Sequence, residues 1–276
     1  MSSLLKREDL EILIATKNQS SLAFLKAMFP FEHFSNFNIL IINQSDENVL
    51  TSNFDTIRVI NTNEKGLSKS RNLAINNAIK PICLIADDDV FYLKNFDEDI
   101  IMEFNSITNA SVITFNHQRI GLSYPQNNDK EGYGHNKKTI RKVCSVEIVF
   151  KLDDIKKSGI CFDDYFGLGS YFETAEEFLF LRSLLKVNQK MYYNPKVILY
   201  HPLISSGELQ GDDRIVYARA AFNYKIYGFW AYLWLIKYVF FLYRNNYMNS
   251  NEWLDKIKIG LTGINKYKEL EKQKIE

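Results

Sequence analysis

The chain has 276 residues, 46% of them hydrophobic and 24% charged, which is globular material with enough apolar mass for a sizeable core. Its 34 Lys and Arg nearly cancel its 33 Asp and Glu, and a net charge of +1 excludes a general nucleic-acid binder, which needs a basic excess. Cys83, Cys144 and Cys161 lie far apart with no CxxC pair, which excludes a disulfide framework and a zinc knuckle.

The opening MSSLLKREDLEILIATKN is too charged, and its apolar run too short, for a signal peptide, so a cytoplasmic setting is expected. The N-x-S triplets at Asn18, Asn43 and Asn109 are then chance occurrences. Apolar runs predict strands at Ile12–Thr16, Phe37–Asn43, Thr56–Asn61 and Ile82–Ala86, with helices near Ser20–Met28 and Ser68–Ile79 between them. This alternation predicts an α/β fold on a largely parallel sheet. Pro81 ends the second helix. Ile82–Ala86 is continuously apolar, as a strand covered on both faces should be, and it runs directly into Asp87, Asp88 and Asp89. Ligands of open α/β sheets gather beyond the carboxyl ends of strands, where these acids fall.

A further strand is predicted at Ala110–Phe115, followed by a polar stretch, Asn116–Lys142, that suits a lid, a binding loop or disorder. Order returns at Val143–Phe150, then a helical KLDDIKKSG and the Gly-punctuated FDDYFGLGSYFETAEE.

Four features carry chemistry. Three adjacent carboxylates repel one another unless a cation sits among them, and Mg²⁺ or Mn²⁺ would supply that charge and bridge to phosphates. A solvated acidic turn is the alternative. In EKGLSKSRN a Gly turn leads to Ser68 at a helix start, leaving backbone N–H groups and cations that suit a diphosphate; an ordinary capped helix fits equally. In ETAEE a carboxylate near a helix start is placed to accept the proton of an attacking hydroxyl, whereas Thr174 and Glu177 also have capping-box spacing. His201 is a metal ligand only if partners join it.

In their order along the chain, ILIATKN, LIINQSDEN, NEKGLSKSRNLAI, LIADDDV, FDDYFGLGSYFETAEEFLFL and YYNPKVILYHP resemble family 2 glycosyltransferases of the GT-A fold, especially those of bacterial capsule, O-antigen and other surface glycans. The resemblance implies a Rossmann-like, mostly parallel sheet flanked by helices. It implies a catalytic domain over 1–205, with a nucleotide-sugar half at 1–115 and an acceptor half at 116–205, and a helical extension over 206–276. Thr16 and Asn18 would line the nucleotide pocket. Asn43 and Gln44 stand where relatives commonly carry an acid touching the base. Gly66, Ser68, Arg71 and Asn72 match the segment approaching the diphosphate. Asp87 and Asp88 would position ribose and donor sugar, and Asp89, completed by His201, would hold Mn²⁺ or Mg²⁺. Glu177 matches the base and Glu176 an acceptor-orienting residue. The implied reaction is inverting transfer from a UDP-sugar to a hydroxyl of a glycan or lipid-linked glycan.

Ile226–Tyr243, IYGFWAYLWLIKYVFFLY, is dense in aromatics and bordered by Lys225 and Arg244. It falls short of a spanning helix and suits a helix lying on the cytoplasmic membrane face, or a contact between subunits of a homo-oligomer. Two other readings remain: a haloacid-dehalogenase-like phosphatase, since Asp87–Val90 fits DxDx[TV] and Gly211–Asp213 mimics a later motif, or a non-catalytic glycan-binding or scaffold protein.

Overall fold

A computed structural model of the protein describes residues 4–202 and 210–274. The chain divides into two compact units, Met1–Phe162 with Glu177–Leu203, and Asp163–Glu176 with Ile204–Glu276. A boundary at 205 lies outside the described residues.

The first unit is built on strands β1 (Leu10–Lys17), β2 (Asn38–Gln44), β3 (Ile57–Thr62), β4 (Ile82–Asp87), β5 (Phe91–Tyr92), β6 (Val112–Arg119), β7 (Tyr133–Gly134), β8 (Ile148–Lys151) and β9 (Met191–His201). They form one sheet in the order β3-β2-β1-β4-β8-β6-β9-β5, with β7 added against β9. The first four strands pair in parallel, as their continuous apolar runs predict. In the second half β8 enters antiparallel to both β4 and β6, while β6 and β9 are parallel. This α/β architecture is the GT-A fold. Its core gathers Ile12, Ile14, Ile39, Ile41, Leu84 and Ala86 from the sheet with Leu25 and Met28 of α1 (Ala23–Met28) and Phe96, Ile100 and Phe104 of α3 (Phe96–Ser106). The amino-terminal edge of the sheet is closed by structural charge. Glu11, buried on β1, accepts from Arg58 Nη2 at 2.6 Å and from the Ile79 N–H at 2.8 Å. The carboxyl edge is where polar side chains collect.

One strand differs in extent from its sequence reading. β6 runs on to Arg119 instead of stopping at Phe115, because Asn116–Arg119 continues to pair with β9 as far as His201. The polar loop that follows is pinned to it: buried Asn116 donates to the Asn127 carbonyl at 2.7 Å and accepts from the Asn127 N–H at 3.1 Å. Within Val143–Phe150, where order was expected to return, a short 3-10 turn at Ser145–Glu147 precedes β8.

In the second unit α6 (Asp213–Tyr227), α7 (Trp230–Arg244) and α8 (Trp253–Gln273) pack round Val216, Ala220, Leu235, Val239 and Ile264. Gly263 lets α8 approach α6, since a Cβ there would lie 2.2 Å from the Tyr217 carbonyl oxygen. Asp163–Glu176, expected within the catalytic domain, joins these helices instead. Phe166 and Phe172 meet Tyr267, and Asp163 pairs with Lys225 at 2.9 Å.

Candidate active site

The site grows from register. β4 lies beside β1 with Asp87 opposite Ala15, so the residue after each strand partner, Asp88, meets Thr16. Thr16 Oγ1 donates to Asp88 Oδ2, and Gln19 Nε2 reaches the same oxygen at 3.3 Å. Asp87 is held from the other side. Arg71 Nη2, on α2 (Leu67–Asn77), donates to Asp87 Oδ1 at 3.0 Å and to Ser145 Oγ at 2.9 Å. Arg71 is 2% exposed, and its guanidinium lies 5.5 Å over the Phe162 ring. A cation buried so deeply is stable only when paired, so the pair fixes Asp87 as firmly as it neutralises Arg71.

Asp89 stands at the solvent side of the cluster. Burial by its surroundings, then Asp87, push its carboxyl above the usual range; His201 pulls the other way and Asp88 adds to the rise. β5 and β9 explain the nearness of His201: Phe91 pairs with Tyr200 in antiparallel register, which carries the preceding turn alongside the end of β9. The ring of His117 lies 5.6 Å from that of His201, and His117 Nδ1 is 2.8 Å from the buried Glu147 carboxylate. Among the described residues, no group of three or more His, Cys, Asp or Glu is arranged to hold a metal ion by itself. Asp89 and His201 are near enough for the imidazole to act on the carboxyl.

Beyond β1 and β2 lies a cavity of about 180 Å³ lined by Lys17, Asn18, Gln44, Ser45, Asp46, Asn63 and Lys65. Asn18 turns the chain there with a φ of 56°, its N–H donating to the Gln44 carbonyl at 2.9 Å. Gln44 Nε2 donates to the Gly66 carbonyl at 2.8 Å. Gly66 takes a φ of 119°, a conformation side chains avoid, and it occupies the cap position of α2. Ser68, expected to start that helix, is instead a buried residue of its first turn.

Two of the expected contact residues hydrogen-bond to neighbouring loops. Asn43 is fully buried; its Oδ1 accepts from the Gln19 N–H at 3.0 Å, and its Nδ2 donates to the Gln19 carbonyl at 3.0 Å and to Asn61 Oδ1 at 2.9 Å. Asn72 spans the Phe162 backbone, donating to its carbonyl at 2.9 Å and accepting from its N–H at 2.8 Å. Both hold neighbouring loops in place.

Helix α5 (Glu176–Lys186) begins after Ala175, whose φ is 67°. Glu177 is the second residue of this helix, three residues beyond Thr174. Glu177 is half-buried, and the half-buried Cys144 thiol is pushed up by burial first, then by Glu147, Glu177 and Asp87. One thiol thus feels both Asp87 and Glu177. Glu176 is buried and belongs to the second unit.

Gln19, Ser145 and the His117–Glu147 pair escaped sequence reading, because nothing local marks their long-range partners. The phosphatase reading loses its second motif: Asp212 caps α6, accepting from the Arg214 N–H at 2.8 Å, and Asp213 pairs with Lys256 at 2.6 Å.

The model of the family described as Glycosyl transferase family 2 matches residues 12–155, more than half of the chain. A comparison with curated proteins finds no match. Among solved structures, the chain is similar to S. aureus TarS 1-349, with a TM-score of 0.55 and 16% identity over 92% of this chain and 80% of that one. The same fragment in complex with UDP-GlcNAc gives 0.56 and 16% over 92% and 81%. In complex with UDP it gives 0.53 and 16% over 94% and 91%.

Proposed function

The chain belongs to glycosyl transferase family 2, and from that premise we propose that it moves a sugar from UDP, with inversion, onto a hydroxyl of a bacterial surface glycan or a lipid-linked glycan at the cytoplasmic membrane face. The observation that carries this reading is the convergence of Asp87, Asp88, Thr16 and Arg71, with Asp89 and His201 beside them, at the carboxyl end of β4. The UDP-GlcNAc and UDP complexes of TarS support UDP as the nucleotide.

In this reading the cavity beside Asn18 and Gln44 takes the base, with Asn43 as the buried anchor of its rim. Asp88, oriented by Thr16 and Gln19, and Asp87, oriented by Arg71, accept hydroxyls of ribose and donor sugar. The amino end of α2, opened by Gly66 and including Ser68, faces the diphosphate. Members of the family often use a divalent metal; Asp89 and His201 would hold Mn²⁺ or Mg²⁺ here, which when bound supplies positive charge opposite the departing diphosphate. The acceptor oxygen forms its bond to the anomeric carbon as the bond to the diphosphate oxygen breaks. Glu177 takes the acceptor proton, with Glu176 orienting the acceptor, and UDP carries away the electron pair.

A nucleotide panel tests the donor assignment. With Mn²⁺ present, UDP is expected to raise the melting temperature more than GDP, ADP or CMP. A larger shift with GDP or ADP would overturn the choice of uridine.

A further inference from the structure

The outer face of α7 matches neither a solvated helix nor a buried one. Ala231, Leu235, Tyr238, Val239 and Leu242 face inward and join the core of their unit. The opposite face carries Trp230, Leu233, Phe240 and Phe241, with Trp230 67% and Phe240 53% exposed. Together with positions 237 and 244 they recur at three- and four-residue spacing, so they form one stripe along the helix. Phe229, 73% exposed, extends it at the amino end. A contiguous exposed apolar face of this kind marks a contact surface.

Charge decides what it contacts. Lys237 and Arg244 lie within the same stripe, both exposed, and neither has an acidic partner among the described residues. No Asp or Glu occurs from Ile226 to Asn251. A second copy placed face to face on this stripe would bring cations against cations with no acid to neutralise them. An anionic lipid surface accepts both parts at once, rings in the interfacial layer and cations on the phosphates. No helix among the described residues is long and apolar enough to cross a membrane, which leaves a helix lying flat.

We infer that the outer face of α7 is a membrane-docking surface that binds anionic bilayers through Trp230, Leu233 and Phe240 together with Lys237 and Arg244. The inference deepens the reading of a membrane-facing transferase and rests on it only for the choice of a bacterial-type anionic lipid. Vesicle binding requires neither donor nor acceptor, so it stands or falls apart from transfer activity.

The test is flotation of the full chain with phosphatidylcholine vesicles, with and without phosphatidylglycerol. The wild-type chain floats with the anionic vesicles and much less with the neutral ones. Lys237→Glu/Arg244→Glu lowers anionic partitioning by about 30-fold or more, given that each cation near such a surface is worth about a factor of five. Trp230→Ser/Leu233→Ser/Phe240→Ser abolishes flotation while circular dichroism and UDP binding stay unchanged, which separates docking from misfolding. Flotation that ignores both sets of changes overturns the inference. So does a wild-type chain that stays at the bottom, and if it also forms concentration-dependent oligomers that the triple variant dissolves, the face belongs to a second copy.

Discussion

Glu177→Gln is expected to lower the rate of sugar transfer by about 10²–10⁴-fold, the usual contribution of a positioned general base, while UDP affinity remains within about twofold of wild type. Gln keeps the size and hydrogen-bonding reach of Glu but cannot take a proton. The capping alternative predicts little change in either rate or stability, because Gln serves in a capping box as Glu does. Single-turnover transfer measured alongside calorimetric UDP titration separates the two. Near-normal transfer in Glu177→Gln would move the base to Glu176 or Glu173.

Asp89→Ala is expected to remove the dependence of UDP binding on Mn²⁺. Burial first, then the neighbouring Asp87 and, less, Asp88, push the Asp89 carboxyl up, while His201 pulls it down. A cation bound there relieves that repulsion and bridges to the diphosphate. Loss of a residue that merely supports a metal ligand commonly costs 10–100-fold in affinity, so loss of a ligand should cost about 100-fold or more. Calorimetry with and without Mn²⁺ reads this without any turnover. Equal UDP affinity for both proteins under both conditions would remove the metal from Asp89. Arg71 and Thr16 would then be the groups that organise the cluster.

Much of this site is legible in the sequence because it is local. An apolar run buried on both faces must end somewhere, and Asp87–Asp89 end it at the edge where open sheets bind ligands. Gly66 before a helical pattern is equally local. The parts that escaped depend on partners distant in sequence. Asn116 and His117 look like loop residues by polarity, yet they sit buried in β6 because Asn127 and Glu147 satisfy them. Asn43 and Asn72 look like ligand contacts by position, and their amides also bond to the backbones of Gln19 and Phe162, which no local pattern shows. The placement of Asp163–Glu176 with the C-terminal helices follows from ring packing on Tyr267, which no local pattern announces.

The central claim is that the acids beyond β4 and at the start of α5 serve transfer from a UDP-sugar. The most direct measurement is UDP release from a panel of UDP-sugars with Mn²⁺ and a glycan or lipid-linked acceptor, run in parallel on wild type, Asp89→Ala and Glu177→Gln. The predicted result is acceptor-dependent UDP release by wild type from at least one sugar and its near-complete loss in both variants. Release that is equal in all three proteins would contradict the assignment of these acids to the reaction.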